Sequence, residues 1–220
     1  MEQSQITFYL CTMDDKRQHF IDTLSRFVPA NFAPYLADCI LNANIQFKIV
    51  PGRKTKLGDF KTSPLQKKPI ITVNGDLNPY SFLITSLHEL AHLDTFREHG
   101  WRVAAHGPEW KAAFRARLLP ILESQALPAN LQKVLWKSWT QLKASSGTDL
   151  HLSRALKVYD QKEINTLESL PLHAEFLLNQ KRFKKGQLRR TRYLCTEIGS
   201  NKQYLVHALA AVTPIAHDTK

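Results

Sequence analysis

The stretch that decides the fold is Pro79-Tyr-Ser-Phe-Leu-Ile-Thr-Ser-Leu-His88-Glu89-Leu90-Ala91-His92-Leu-Asp-Thr-Phe-Arg-Glu98. Leu83, Leu87, Leu90 and Ala91 recur at helical spacing, Pro79 suits a first helical turn, and Gly100 stops the run. A helix is therefore predicted over 79–98. On it His88 and His92 lie one turn apart on the same face. Two imidazoles so placed can reach one zinc ion, and Glu89 lies beside them where it can hold a water on that metal. Zinc draws the pKa of such a water towards neutrality, and the carboxylate takes its proton as it attacks a carbonyl. The competing reading is a surface helix with two incidental histidines. The apolar neighbours of the motif and the strand predicted before it favour the metal site.

Working outward, Asp14–Phe27 has helical spacing at Phe20, Ile21, Leu24 and Phe27, with Asp14 or Asp15 as N-cap. Tyr35–Asn44 reads as a second helix. Ile45–Val50 alternates as a strand does, Pro51-Gly52 turns, and a basic extended stretch runs to Phe60. Lys68–Asn74 is another strand. Beyond the central helix, Pro108–Leu119, Leu131–Leu142 and Asp160–Leu170 read as helices, with a break at Ser145-Ser-Gly. After Pro171 the texture turns to short strands: Phe176-Leu-Leu, Arg182-Phe183, Leu188–Cys195 and Gln203–Val212, with turn signals at Asn179, Gly186 and Gly199-Ser-Asn. The expected fold is α+β: a body over 1–150 with a small antiparallel sheet, then a helix and a basic β-rich region over 151–220.

A catalytic zinc takes three protein ligands and leaves one position open. The metzincin pattern would need Gly at 95 and His at 98, where the chain has Thr95 and Glu98. His99 abuts the helix-ending Gly100. His106, in Ala105-His106-Gly107-Pro108-Glu109-Trp110, precedes the next helix and can fold back over the first. His106 is the favoured third ligand, and Glu109 the alternative.

His88-Glu-Leu-Ala-His92 followed by His106-Gly-Pro-Glu-Trp110 resembles the SprT-like metalloprotease domain, which pairs HExxH with a third His in an HGxxW-type segment. Arg53…Leu57-Gly58…Phe60 and Ile71-Thr-Val-Asn74 also resemble the strands preceding that family's zinc helix. The resemblance covers about residues 15–120. It implies a zincin-like core and a zinc endopeptidase with one Zn2+ held by His88, His92 and His106, and with Glu89 as base. The Spartan-type relatives cleave proteins crosslinked to DNA. Many members end in a zinc ribbon with two cysteine pairs. Here only Cys195 falls in that region, so the tail is expected to resemble a ribbon without its cysteines.

Composition narrows the class. The 43% hydrophobic and 22% charged content excludes wholesale disorder, and 8 Gly with 11 Pro excludes fibrous repeats. The net charge of +11 is lopsided: 12 Lys/Arg face 11 Asp/Glu in 1–110, and 18 face 8 in 111–220. The strip Lys181-Arg182-Phe183-Lys184-Lys185-Gly186-Gln187-Leu188-Arg189-Arg190-Thr191-Arg192 concentrates seven of these positive charges and no acid. Phosphates favour such a strip, so Lys181, Arg182, Lys184, Lys185, Arg189, Arg190 and Arg192 are candidate nucleic-acid contacts. A soluble charged edge strand is the plainer reading. Cys11, Cys39 and Cys195 form no CxxC pair and read as reduced thiols. With no signal sequence and no spanning stretch, a cytoplasmic protein without a membrane partner is expected. The peptide substrate is expected to lie beside an edge strand at Ile70–Asn74. The rival function is a nucleic-acid-binding protein whose zinc is structural or vestigial. A zinc hydrolase of non-peptide substrates is a third.

Overall fold

This computed structural model of the chain describes residues 15–53, 55–65, 67–140, 150–161 and 165–215. They fall into two units, divided between Asp160 and Gln161. The first holds helices α1 (15–24) and α2 (Ala33–Asn42), then strands β1 (Gln46–Val50), β2 (Gly58–Lys61) and β3 (Ile70–Asn74). Helices α3 (Pro79–His99), α4 (Pro108–Glu123), α5 (Ala129–Thr140) and α6 (Leu150–Lys157) follow. The domain division expected at 150 thus falls ten residues later, because α6 packs on α5 in the first unit. Of the predicted Asp160–Leu170 helix, the described residues show only a 3-10 turn at Leu167–Ser169. The predicted break at Ser145-Ser-Gly and the Asp14 cap lie outside the described residues.

α3 runs through the core. Phe82, Leu83, Leu87, Leu90, Ala91 and Leu93 are all fully buried. Its start is fixed by Asn78, whose Oδ1 accepts from the Ser81 N–H at 2.9 Å. The Asn78 amide also donates to the Leu156 carbonyl and to Asp160 Oδ1, so one side chain caps α3 and anchors the end of α6. α4 packs on α3 through Trp110, Phe114 and Leu118. Arg117 forks onto Asp94 of α3 at 2.7 and 2.8 Å, and the Tyr35 hydroxyl donates to the Arg117 carbonyl. These bonds tie α2, α3 and α4 together. α4 extends beyond the predicted Leu119, through Pro120, because Ile121 and Leu122 are buried in the core.

The three-stranded sheet has the order β1-β3-β2, with β1 parallel and β2 antiparallel to β3. It is mixed, which corrects the expected antiparallel sheet. β3 lies in the centre because it alone supplies fully buried side chains, Ile71 and Val73. Ile70–Asn74 is therefore not an edge strand; the edges of this sheet are β1 and β2, and β2 is the edge strand that packs against α3.

The second unit is an antiparallel five-stranded sheet of β4 (Glu175–Leu178), β5 (Lys181–Arg189), β6 (Arg192–Glu197), β7 (Gln203–His207) and β8 (Thr213–Pro214), in the order β7-β6-β5-β4-β8. Its core holds Leu167, Phe176, Phe183, Cys195, Val206 and Val212. Gly186 is not a turn, and Leu188–Cys195 is not one strand. β5 continues through Gly186 with a register shift between Lys185 and Leu188, and the chain reverses at Arg190-Thr191, where Arg190 has φ 59. Gly186 is needed there because a Cβ would sit 2.1 Å from the Leu194 carbonyl oxygen. Among the described residues no helix is long and apolar enough to cross a membrane.

Candidate metal centre

The helical spacing of His88 and His92 brings His92 Nε2 to 3.1 Å from His88 Nε2. Gly107 ends the connection after α3 and caps α4, which folds His106 back over the helix. His106 Nε2 then lies 3.2 Å from His88 Nε2. Tetrahedral coordination at about 2.0–2.1 Å would space two imidazole nitrogens by about 3.3 Å, so the donor set fits an ion of this size. One ligand nitrogen from each ring lies within 4.8 Å of the others, and this cluster can hold a metal ion. Neither Glu109 nor His99 joins it; His99 instead lies 3.7 Å from Glu98.

Burial sets the charge state of the cluster. It pulls the pKa of His88 down to about 3 and that of His92 down to about 4, with the neighbouring rings adding to both, and it lowers His106 too. Neutral imidazole is the metal-binding form. Trp110 backs all three rings, with centroids 4.6, 5.3 and 4.7 Å from those of His88, His92 and His106. It is fully buried and stacks on Phe114 at 4.9 Å, so it is a packing residue, as its type suggests. Its indole N–H is one of three buried side-chain polar atoms without a hydrogen-bond partner among the described residues.

Glu89 is not one of the clustered ligands. Its side chain is buried, and its carboxylate accepts the Phe60 backbone N–H of β2. The sheet register explains why that N–H is available. The Asn74 N–H donates to the Leu57 carbonyl, so the hydrogen-bonded pairs with β3 fall at 57, 59 and 61. Gly58 and Phe60 then direct their N–H and C=O groups off the free edge. Gly58 also makes room: a Cβ there would lie 2.6 Å from Glu89 Oε1. Burial and the Asp59 charge push the Glu89 carboxyl up to about 7, against the pull of Arg53, the Phe60 N–H and Lys56. Asp59 itself stays below the usual carboxylate range: burial would raise it, but Lys56 and Lys61 hold it down. Arg53 is fastened to β3, its Nε donating to Asn74 Oδ1 at 2.8 Å and its Nη1 to Thr72 Oγ1 at 3.1 Å. The roles of Gly58 and Phe60 were not foreseen. A glycine inside a strand was the available signal, since it marks close approach of a neighbour.

The basic strip is divided by the sheet. Lys185 is not available to a ligand: it is 3% exposed, donates to the Glu168 and Leu170 carbonyls, and lies over the Tyr193 ring at 4.1 Å. Lys181 pairs with Glu197, and Arg182 with Glu175. Lys184, Arg189, Arg190 and Arg192 are exposed, with no ion pair among the described residues. Lys184 is opposite Thr196 and Arg189 opposite Arg192, which puts Lys184, Arg189 and Arg192 on the face away from buried Cys195. Among the described residues the three histidines are the one metal-competent cluster, and fully buried Cys195 belongs to the core. No family model, curated protein or solved structure matches the chain.

Proposed function

We propose that the first unit is a zinc-dependent endopeptidase of the SprT-like type, with a zincin-like core. One observation carries the reading: a buried carboxylate, next in sequence to one imidazole of a three-histidine cluster, is anchored to the free edge of a strand. A structural zinc site is closed by four ligands and has no use for a fixed carboxylate outside the set. Zinc bound there would polarise a substrate carbonyl and make a water acidic near neutral pH. His88, His92 and His106 would hold the ion. Glu89, oriented by the Phe60 N–H, receives the proton of the attacking water and passes it to the leaving amine. An extended peptide pairs with the outward groups of β2, chiefly the N–H and C=O of Gly58 and the C=O of Phe60. Trp110 and Phe114 close the back of the site to water.

The outward Lys184, Arg189 and Arg192, with Arg190 at the turn, support nucleic acid as a partner of the second unit through phosphate contacts. Proteins bound to nucleic acid are then the substrate class. The test of the activity is Glu89→Gln. It should keep one zinc per chain by elemental analysis while cleavage of denatured casein falls about 10²–10⁴-fold. Unimpaired cleavage removes Glu89 from the mechanism. A parent protein that binds zinc and nucleic acid but cuts no protein favours the rival, a nucleic-acid-binding protein with a structural metal.

A further inference from the structure

The three segments that build the metal site also build an aromatic cluster beside it. Phe60 comes from β2, Phe96 from α3 one turn beyond His92, and Trp101 from the connection that ends at His106. Their ring centroids lie 4.9 Å apart for Phe96–Trp101, 5.9 Å for Phe60–Phe96 and 6.4 Å for Phe60–Trp101. Phe60 and Phe96 are half-buried, but Trp101 is 72% exposed. Among the large apolar side chains of the described first unit only Leu65 is more exposed. An indole left this open gains little from its own fold, and it offers a flat apolar wall to a second molecule.

The cluster is continuous with the edge on which a peptide would pair. The Phe60 ring belongs to the residue whose N–H holds Glu89 and whose carbonyl points off the free edge of β2. A strand pairing there sends alternate side chains to one side, so one of them reaches the rings. We propose that Phe60, Phe96 and Trp101 form a side-chain subsite that selects a bulky apolar residue, aromatic or long aliphatic, at one fixed position from the cleaved bond. This rests on the hydrolase reading above. It adds a substrate preference that the metal site itself does not contain.

The experiment digests a mixture of synthetic peptides, randomised at each position, with the zinc-loaded protein and sequences the new termini by mass spectrometry. The parent should show enrichment for Phe, Tyr, Trp, Leu or Met at a single position. From the best sequence, a Phe peptide and its Ala counterpart are then compared. Trp101→Ala should keep its zinc, and its preference for Phe over Ala in kcat/KM should shrink by about ten-fold or more, mainly through KM. Trp101→Phe should restore much of it. A binding readout needs no turnover: in Glu89→Gln the Phe peptide should shift tryptophan emission to the blue, and Trp101→Ala on that background should abolish the shift. Trp101→Gln, which keeps a long side chain over the helix end, repeats the test with less disturbance. Cleavage by the parent without preference at any position overturns the subsite and leaves the hydrolase reading standing. So does a preference that survives in both Trp101→Ala and Trp101→Gln. If the parent cuts no peptide, the hydrolase reading fails and the subsite falls with it.

Discussion

Replacing Gly58 by Ala tests the position of Glu89 separately from the binding of zinc that we propose. The backbone at 58 needs no positive φ, so alanine can adopt it, and the effect is steric alone. The added Cβ would lie 2.6 Å from Glu89 Oε1, 2.8 Å from Glu89 Cγ and 2.8 Å from Thr85 Cγ2. Contact with Cγ as well as Oε1 means that the stem of the side chain must move, by roughly an ångström. Overpacking of this kind costs about 1–3 kcal/mol. In a domain of this size that lowers Tm by about 2–12 °C. The larger effect is on rate. Moving Glu89 breaks its bond from the Phe60 N–H, and a misplacement of about 1 Å can cost on the order of 10²-fold. Zinc content should not change, because the new Cβ touches only Glu89 and Thr85 among its nearest neighbours. Metal analysis, thermal unfolding and casein hydrolysis would be measured on Gly58→Ala, Glu89→Gln and the double variant. The two rate losses should not add, since both remove the same placed carboxylate. Full activity in a Gly58→Ala protein of lowered Tm would show that the placement of Glu89 on β2 is irrelevant to the chemistry. Loss of zinc would show that β2 supports the ligands instead.

The remaining predictions address the other parts of the chain. His106→Ala should lower zinc occupancy below one per chain at equal free zinc, while Glu109→Ala, outside the cluster, should leave it unchanged by elemental analysis. Changing Arg189, Arg190 and Arg192 together to Ala should flatten the log–log salt dependence of DNA binding by roughly two to three units, with zinc content unchanged; an identical slope would leave these arginines as a soluble edge. Glu197 is held at about 2, below its ordinary 4.5, by Lys181, Ser200 and Tyr204. A depressed carboxyl stabilises the folded state above pH 4.5, and that contribution is lost as pH falls from about 4.5 to about 2. Glu197→Gln should therefore flatten the acid dependence of thermal unfolding of the second unit in that window.

What could be read from the sequence was whatever repeats at short range. The spacing of His88 and His92, the helix around them and the strand at Ile70–Asn74 all follow from period and caps. The place of His106 followed too, because the short connection between the end of α3 at His99 and the Gly107 cap of α4 leaves few ways back to the helix. Strand order did not follow. Periodicity marks a strand but says nothing of its neighbours, and β2 was hidden in a basic stretch without alternation. Its identity as the edge depends on Ile71 and Val73 claiming the centre, which is a packing outcome. In the second unit the sequence showed seven positive charges as one strip, yet β5 turns alternate residues to opposite faces. Lys185 is thereby carried under Tyr193 while Lys184 stays outside. Charge counted along a chain overstates charge on a surface whenever the chain is a strand.

The edge strand β2 and Glu89 constrain one another. Two demands meet at Gly58: its missing side chain gives Glu89 space, and its outward N–H and C=O are the pair left for an incoming peptide. Glu89 takes the next outward donor, the Phe60 N–H, so a substrate strand cannot also bond there without releasing the carboxylate. Only the Phe60 carbonyl remains on that residue, and the next outward position lies beyond the end of β2. On the proposed function a peptide would therefore be anchored at Gly58, beside the carboxylate, and guided past Phe60 by side-chain contact instead of by a ladder of backbone bonds. In such an arrangement main-chain pairing sets the height of the peptide over the histidines, and the rings of Phe60, Phe96 and Trp101 set which residue lies next to the cut. Affinity from the backbone and selectivity from the aromatic cluster are then separable, and a variant at Trp101 should alter the second while leaving the anchoring at Gly58 in place.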